Sequence, residues 1–119
     1  MRIIVTGSRA WPHGQDVYDA LSGALEAHGP FTLVHGACST GADFYAHLWA
    51  QAHREVTEVK FKADWTRYGR RAGPLRNAEM VRTGANQVFA FSLNSPGTEG
   101  TIRLAKQAGI PVKIWRNHA

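Results

Sequence analysis

The chain predicts an α/β domain built on a mostly parallel sheet, and three observations lead there. Short β-branched or apolar runs alternate with stretches of helical periodicity from the first residues onward. The runs are continuously apolar more often than alternating, as strands covered on both faces require. Three of them are followed directly by glycine-containing loops rich in hydroxyl side chains. Five such strands separated by four helices imply three layers, with right-handed crossovers laying helices on both faces of the sheet.

Arg2-Ile3-Ile4-Val5-Thr6, stopped by Gly7, reads as the first buried strand. Residues 15–28 place Val17, Leu21, Leu25 and His28 on one side of a helix. Phe31 to His35, again ended by a glycine, is the second strand. The helix over residues 41–53 presents Phe44, Tyr45, Leu48, Trp49 and Ala52 as a broad apolar face. Residues 56–61 alternate as a third strand with a wetter face, and the segment from Asp64 to Gly73 has no clear period. Pro74 opens a short helix carrying Leu75, Ala78 and Val81, which Gly84 ends. Gln87 to Leu93 is the fourth strand, a helix runs from about Gly100 to Ala108, and Val112 to Trp115 is the fifth strand.

At 119 residues the chain is read as one domain, residues 1–119. A chain of this size buries roughly two thirds of its unfolded surface, enough for a core without staples. Its composition, 44% hydrophobic and 19% charged, excludes a disordered or fibrous protein. The single Cys38 permits no internal disulfide and no multi-cysteine zinc site, which fits a reducing cytosol and a cytoplasmic protein. No apolar run approaches the ~20 residues that span a bilayer, and no secretory leader is read before Arg2, so no membrane partner is expected. Fourteen Lys and Arg against nine Asp and Glu leave a net charge of +5, with Arg67, Arg70, Arg71 and Arg76 inside one ten-residue stretch. Arginine offers a rigid fork of donors suited to phosphate or carboxylate, although a solvated surface is the commoner use of such a cluster.

Ligands of open α/β sheets bind outside the carboxyl ends of the strands, where strand order reverses. The loops at Thr6 to Arg9, at His35 to Asp43 and at Asn94 to Thr101 all fall on that edge. Helix N-termini present unpaired N–H groups, glycine admits close backbone approach, and hydroxyls add donors, so the three together point to a phosphate-bearing ligand. Other chemistries are excluded by pattern. There is no G-x-x-x-x-G-K-[ST] and no G-x-G-x-x-G after the first strand, which argues against a Walker-type nucleotidase and a dinucleotide dehydrogenase. The acidic cluster of a receiver domain is replaced by Gly7 and Ser8. His47 and His53 stand six apart, out of register for a helical metal face, so no metal is expected and the histidines are read as structural or surface residues.

The ordered set of Ile-Ile-Val-Thr-Gly-Ser-Arg at 3–9, His-Gly-Ala-Cys-Ser-Thr-Gly-Ala-Asp at 35–43, Ala63-Asp64-Trp65, Gly69, Ala72-Gly73-Pro74 and Arg76-Asn77-Ala78-Glu79-Met80 resembles the YspA-like branch of the SLOG superfamily. The likeness runs from Arg2 to about Val112. It implies a Rossmann-like fold that binds nucleotides or nucleotide-derived molecules, in a bacterial or phage protein. The superfamily also includes the Lonely Guy phosphoribohydrolases, whose P-G-G-x-G-T-x-x-E loop holds phosphate and supplies a catalytic glutamate. Here Pro96, Gly97, Gly100 and Thr101 match that pattern, Thr98 replaces a glycine, and Leu104 stands where the glutamate belongs. Arg76 to Met80 is similar to the family's Arg-Lys-x-x-Met helix start, with Asn77 in place of lysine. The resemblance also implies a homo-oligomer formed through apolar helices such as 41–53.

The ligand-binding candidates are therefore Gly7, Ser8, Arg9, Gly36, Thr40, Gly41, Asp43, Arg76, Asn77, Gly97, Thr98, Glu99, Gly100 and Thr101. Arg76 is read as the phosphate clamp, against an internal pair with Asp64 or Glu79. Asp43 is read as an acceptor for ribose or base, against a helix cap. Trp65 is expected to pack beneath the arginine-rich loop rather than to stack on a base. Cys38, near a helix N-terminus where thiol pKa values fall, is expected to pack rather than to react. The leading functional reading is a module that senses or sequesters a nucleotide-derived small molecule without a cofactor and without catalysis. The alternatives are an N-glycosidic hydrolase of nucleoside monophosphates, using Asp43, Asp64 or Glu99, and single-stranded DNA binding, which the charge and the tryptophans encourage.

Overall fold

The computed structural model describes residues 1–116; residues 117–119, the end of the single domain expected over 1–119, lie outside the described residues. In chain order the elements are β1 (Arg2–Gly7), α1 (Gly14–His28), β2 (Thr32–His35), α2 (Gly41–Gln51), β3 (Thr57–Lys60), α3 (Trp65–Tyr68), a 3-10 turn (Gly69–Arg71), α4 (Ala72–Arg82), β4 (Gln87–Ser92), α5 (Pro96–Gln107) and β5 (Val112–Arg116). The sheet order is β3-β2-β1-β4-β5, and every neighbouring pair is parallel. This is the three-layer α/β arrangement expected, with the sheet parallel throughout.

Alternation along the strands builds two cores. Ile3, Val5, Leu33, Phe89 and Phe91 face α1 and α2, whereas Ile4, Val34 and Val88 face α4 and α5. Strand order reverses between β1 and β4, whose register runs from Ile3 opposite Gln87 to Gly7 opposite Phe91. Open α/β sheets as a class bind ligands in the crevice at the carboxyl ends of such a pair of strands.

Several elements depart from the sequence pattern. In α2 the sheet side is Ala42, Ala46, Trp49 and Ala50, while Phe44 and Leu48 remain 38% and 41% exposed. The cause is close approach: a β-carbon on Gly7 would stand 2.4 Å from that of Ala42, so this helix meets β1 through its smallest residues. The aperiodic stretch after Asp64 is one short helical turn and a 3-10 turn that lead directly into α4, two residues before Pro74. Helix α5 begins at Pro96 rather than near Gly100. Proline suits a first helical turn, since its missing N–H would have no partner there. No helix among the described residues is long and apolar enough to cross a membrane.

Candidate functional site

Helix α5 turns the expected phosphate loop into the end of a helix. Ser95 is its N-cap residue without a side-chain capping bond, and the first intrahelical bond closes from the Glu99 amide to the Ser95 carbonyl at 3.0 Å. The amides of Gly97 and Thr98 thus have no intrahelical acceptor, and they stand at the positive end of the helix dipole. Ser8, Ser95 and Thr98 tie this end to β1: their hydroxyls are joined at 2.7 Å (Ser8–Ser95) and 3.0 Å (Ser95–Thr98), and Ser8 Oγ accepts from the Leu93 amide at 2.9 Å.

A cavity of about 500 Å³ opens here, within the usual size of a small-molecule site. Gly7, Ser8, Arg9, Asp43, Arg76, Asn77, Gly97 and Thr98, from the sequence candidates, line it; Met80 and Leu93 add apolar wall. Gly36 and Thr40 line an adjoining cavity of about 370 Å³. Gly41, Glu99, Gly100 and Thr101 line neither cavity. Gly41 lets α2 start against β1, since a β-carbon there would lie 2.3 Å from the Ser8 carbonyl oxygen. Gly100 faces open space and Thr101, fully buried, donates to the Gly97 carbonyl at 3.0 Å. Glu99 turns to the β5 side, accepting from Ser92 Oγ at 2.5 Å and from the Arg116 guanidinium at 3.1 and 3.2 Å. The hydrogen bonds from Arg116, then that from Ser92, hold its carboxyl below the ordinary range.

Arg76 forms neither of the internal pairs weighed against a ligand role. Asp64 instead caps α3 by accepting from the Arg67 amide at 3.1 Å, and Glu79 pairs with Arg82. The Arg76 guanidinium donates through Nε to Asn77 Oδ1 at 2.6 Å and through Nη1 to the Gly36 carbonyl. These bonds hold the fork against both cavities and leave Nη2 without a hydrogen-bond partner among the described residues. Trp65, expected to pack away, is 48% exposed at the junction of the two cavities, with Arg9 stacked 5.3 Å above its ring. The short α3 and the 3-10 turn bury none of their residues, so no interior receives the indole.

Asp43 is a buried acid at a cavity wall. It is 5% exposed, and its Oδ2 accepts from the Cys38 amide at 3.3 Å instead of capping its own helix. Burial pushes its carboxyl up from the ordinary range, more than His35, Cys38 and Arg76 pull it down. Cys38 moves opposite to the expectation from its place before a helix: burial first, and then the Asp43 charge, raise its thiol against Arg76 and Arg9. A thiol held in its neutral form is a poor nucleophile.

The sequence spacing missed one cluster because its members lie on three elements. Glu58 Oε2 of β3 meets His35 Nε2 of β2 at 2.6 Å and His47 Nδ1 of α2 at 2.8 Å. His35 Nδ1 accepts from the Ala37 amide at 3.0 Å, which assigns the ring proton to Nε2 and makes it the donor to Glu58. A cation would need that same Nε2 lone pair, so the donor set fits a His–Glu–His bridge better than a metal centre. Burial raises the Glu58 carboxyl, but the bonds from His35 and His47 outweigh it and hold the group below its ordinary range. The bridge anchors Ala37, a non-glycine at φ 59°, and with it the loop that carries Gly36 and Cys38.

Comparison with known proteins identifies the family. The sequence model of the YspA, cpYpsA-related SLOG family matches residues 1–68, from β1 through α3. The Gene 61 protein of Mycobacterium phage D29 is 45% identical over 118 residues, an alignment covering 93% of each chain, which fits a bacterial or phage origin. The chain belongs to the YspA, cpYpsA-related SLOG family.

Proposed function

We infer that the protein binds a nucleotide or nucleotide-derived small molecule in the crevice between β1 and β4. The observation that carries this reading is the 500 Å³ cavity in which the α5 N-terminus, the Arg76 fork and the buried acid Asp43 converge. The free amides of Gly97 and Thr98 suit a phosphoryl group. Asp43 suits a hydroxyl or amine donor of sugar or base, whose hydrogen bond would offset the cost of its burial. Leu93, 36% exposed at the cavity wall, offers apolar surface for a base. Isothermal titration with the common nucleoside 5′-monophosphates tests the reading, using Arg76→Lys and Arg76→Ala variants shown to be folded. Loss of a charge-assisted contact at Arg76→Ala weakens binding by about 1.5–3 kcal/mol, about ten- to a hundredfold. Unchanged affinity in both variants would assign Arg76 to loop structure alone.

One observation favours a second reading, N-glycosidic hydrolysis. Asp43, with its raised pKa, has the character of a general acid, and it lines the cavity. Against this, the position of the Lonely Guy enzymes' glutamate is Leu104, a partly buried side chain packed on the core beneath α5, and Glu99 is held by Arg116 and Ser92. Incubation with nucleoside monophosphates is expected to release no free base. Turnover at ~1 s⁻¹ or faster that disappears in Asp43→Asn would put the hydrolase first.

A further inference from the structure

The smaller cavity differs from the larger one in charge. Arg9, Lys62 and Arg76 line it and no carboxylate does, whereas Asp43 lines the larger. Among the described residues, none of these three cations has a carboxylate within salt-bridge distance. The cavity also holds the hydroxyls of Ser39 and Thr40, and Thr40 makes no capping bond to α2. Three cations and two hydroxyls around about 370 Å³ form a receptacle for an anion.

The two cavities are continuous in their walls, since Arg9, Cys38, Trp65 and Arg76 line both. Asp43 stands by that shared wall through its bond from the Cys38 amide. Crossing the site from α5, the chemistry runs from helix amides that suit an anion, past an acceptor that suits a hydroxyl and repels a phosphoryl group, to three cations that suit a second anion. A single monophosphate has no use for the far chamber. A sugar carrying two phosphoryl groups on separate positions and a free hydroxyl beside one of them offers a partner to all three.

We propose that the ligand is a nucleotide carrying two phosphoryl groups on separate positions of its sugar, the second held in the smaller cavity by Arg9, Lys62 and Arg76. This rests on the nucleotide-binding reading above and extends it to a ligand class. Arg9 is stacked on an exposed indole instead of being paired with an acid, so it can engage the second group without breaking an ion pair.

The test is calorimetric titration of the whole chain with the 5′-monophosphate, 5′-diphosphate and 3′,5′-bisphosphate of each common nucleoside. Parent protein is compared with Lys62→Ala, an exposed substitution outside the larger cavity. For the base that binds, the 3′,5′-bisphosphate is expected to bind at least about tenfold tighter than the monophosphate, and Lys62→Ala to remove most of that advantage while leaving monophosphate affinity unchanged. A bisphosphate no tighter than the monophosphate, an advantage that survives Lys62→Ala, or an equal gain from the adjacent 5′-diphosphate would overturn the second subsite and leave the nucleotide reading standing. Binding of none of these probes would remove that reading and this inference with it.

Discussion

At the scale of single residues, the site depends on positions where a side chain is either forbidden or held by backbone. Gly41 has φ +73°, and an added β-carbon would press on the Ser8 carbonyl oxygen and the Arg9 backbone. Neither neighbour is a flexible side-chain end that could swing aside. Gly41→Ala is therefore expected to destabilise the protein by about 1–3 kcal/mol, read as a lower urea midpoint at unchanged slope. Gly100→Ala is the contrasting case. Its φ is not in the left-handed region and nothing lies within 4 Å of the added atom, so the helix gains propensity without a clash. An increase of roughly 0.5–1 kcal/mol is expected, with ligand affinity unchanged. A lost affinity there would return Gly100 to the binding set.

At the scale of elements, the His–Glu–His bridge joins β2, β3 and α2 behind the Cys38 loop. Glu58 is held below its unfolded value, so its stabilising contribution is fully present above the unfolded value of 4.5 and is lost as pH falls through the lower folded one. Glu58→Gln is expected to cost roughly 1–3 kcal/mol near pH 6, with the gap from the parent closing as both are titrated toward pH 3. Urea midpoints measured across that range check it; a gap independent of pH would show that charge plays no part in the bridge. Helix α5 shows the other kind of element effect. Starting at Pro96, it converts four residues that read as loop into a helical turn. The amides that face the cavity are consequently positioned by a helix axis rather than by a mobile loop.

At the scale of the whole molecule, β1 and β4 are central, buried on both faces, and joined at the crevice, whereas β3 and β5 are the sheet edges. We propose that the chain unfolds as one cooperative domain, with coincident thermal transitions by far-UV circular dichroism and tryptophan fluorescence. Within the native state, amides of Ile4, Val5 and Phe89 should exchange last and those of β3 much earlier, since an edge strand with a half-exposed face opens at lower cost. Hydrogen exchange resolved by residue tests the order. Early exchange in β1 would contradict a single core organised around it.

The sequence by itself determined the class of fold, because apolar strands long enough to be covered on both faces leave few arrangements other than helices on each side. It also determined the edge where chemistry collects, since glycine and hydroxyl residues follow the strands that the topology brings together. Tertiary structure decided which side chains meet. The apolar face read for α2 was broad enough for a core and a partner, and the close approach of Gly7 to Ala42 decides that its small residues meet the sheet while Phe44 and Leu48 stay exposed. Glu99 lies in the segment that resembles a phosphate loop, yet once that segment is helical its side chain meets Arg116 across from β5. His35, His47 and Glu58 meet only because β2, β3 and α2 are neighbours in space, and no spacing along the chain encodes their contact. Arg76 unites both levels: its place before Asn77 marked it in the sequence, and the Gly36 carbonyl, forty residues away, sets where its fork is held.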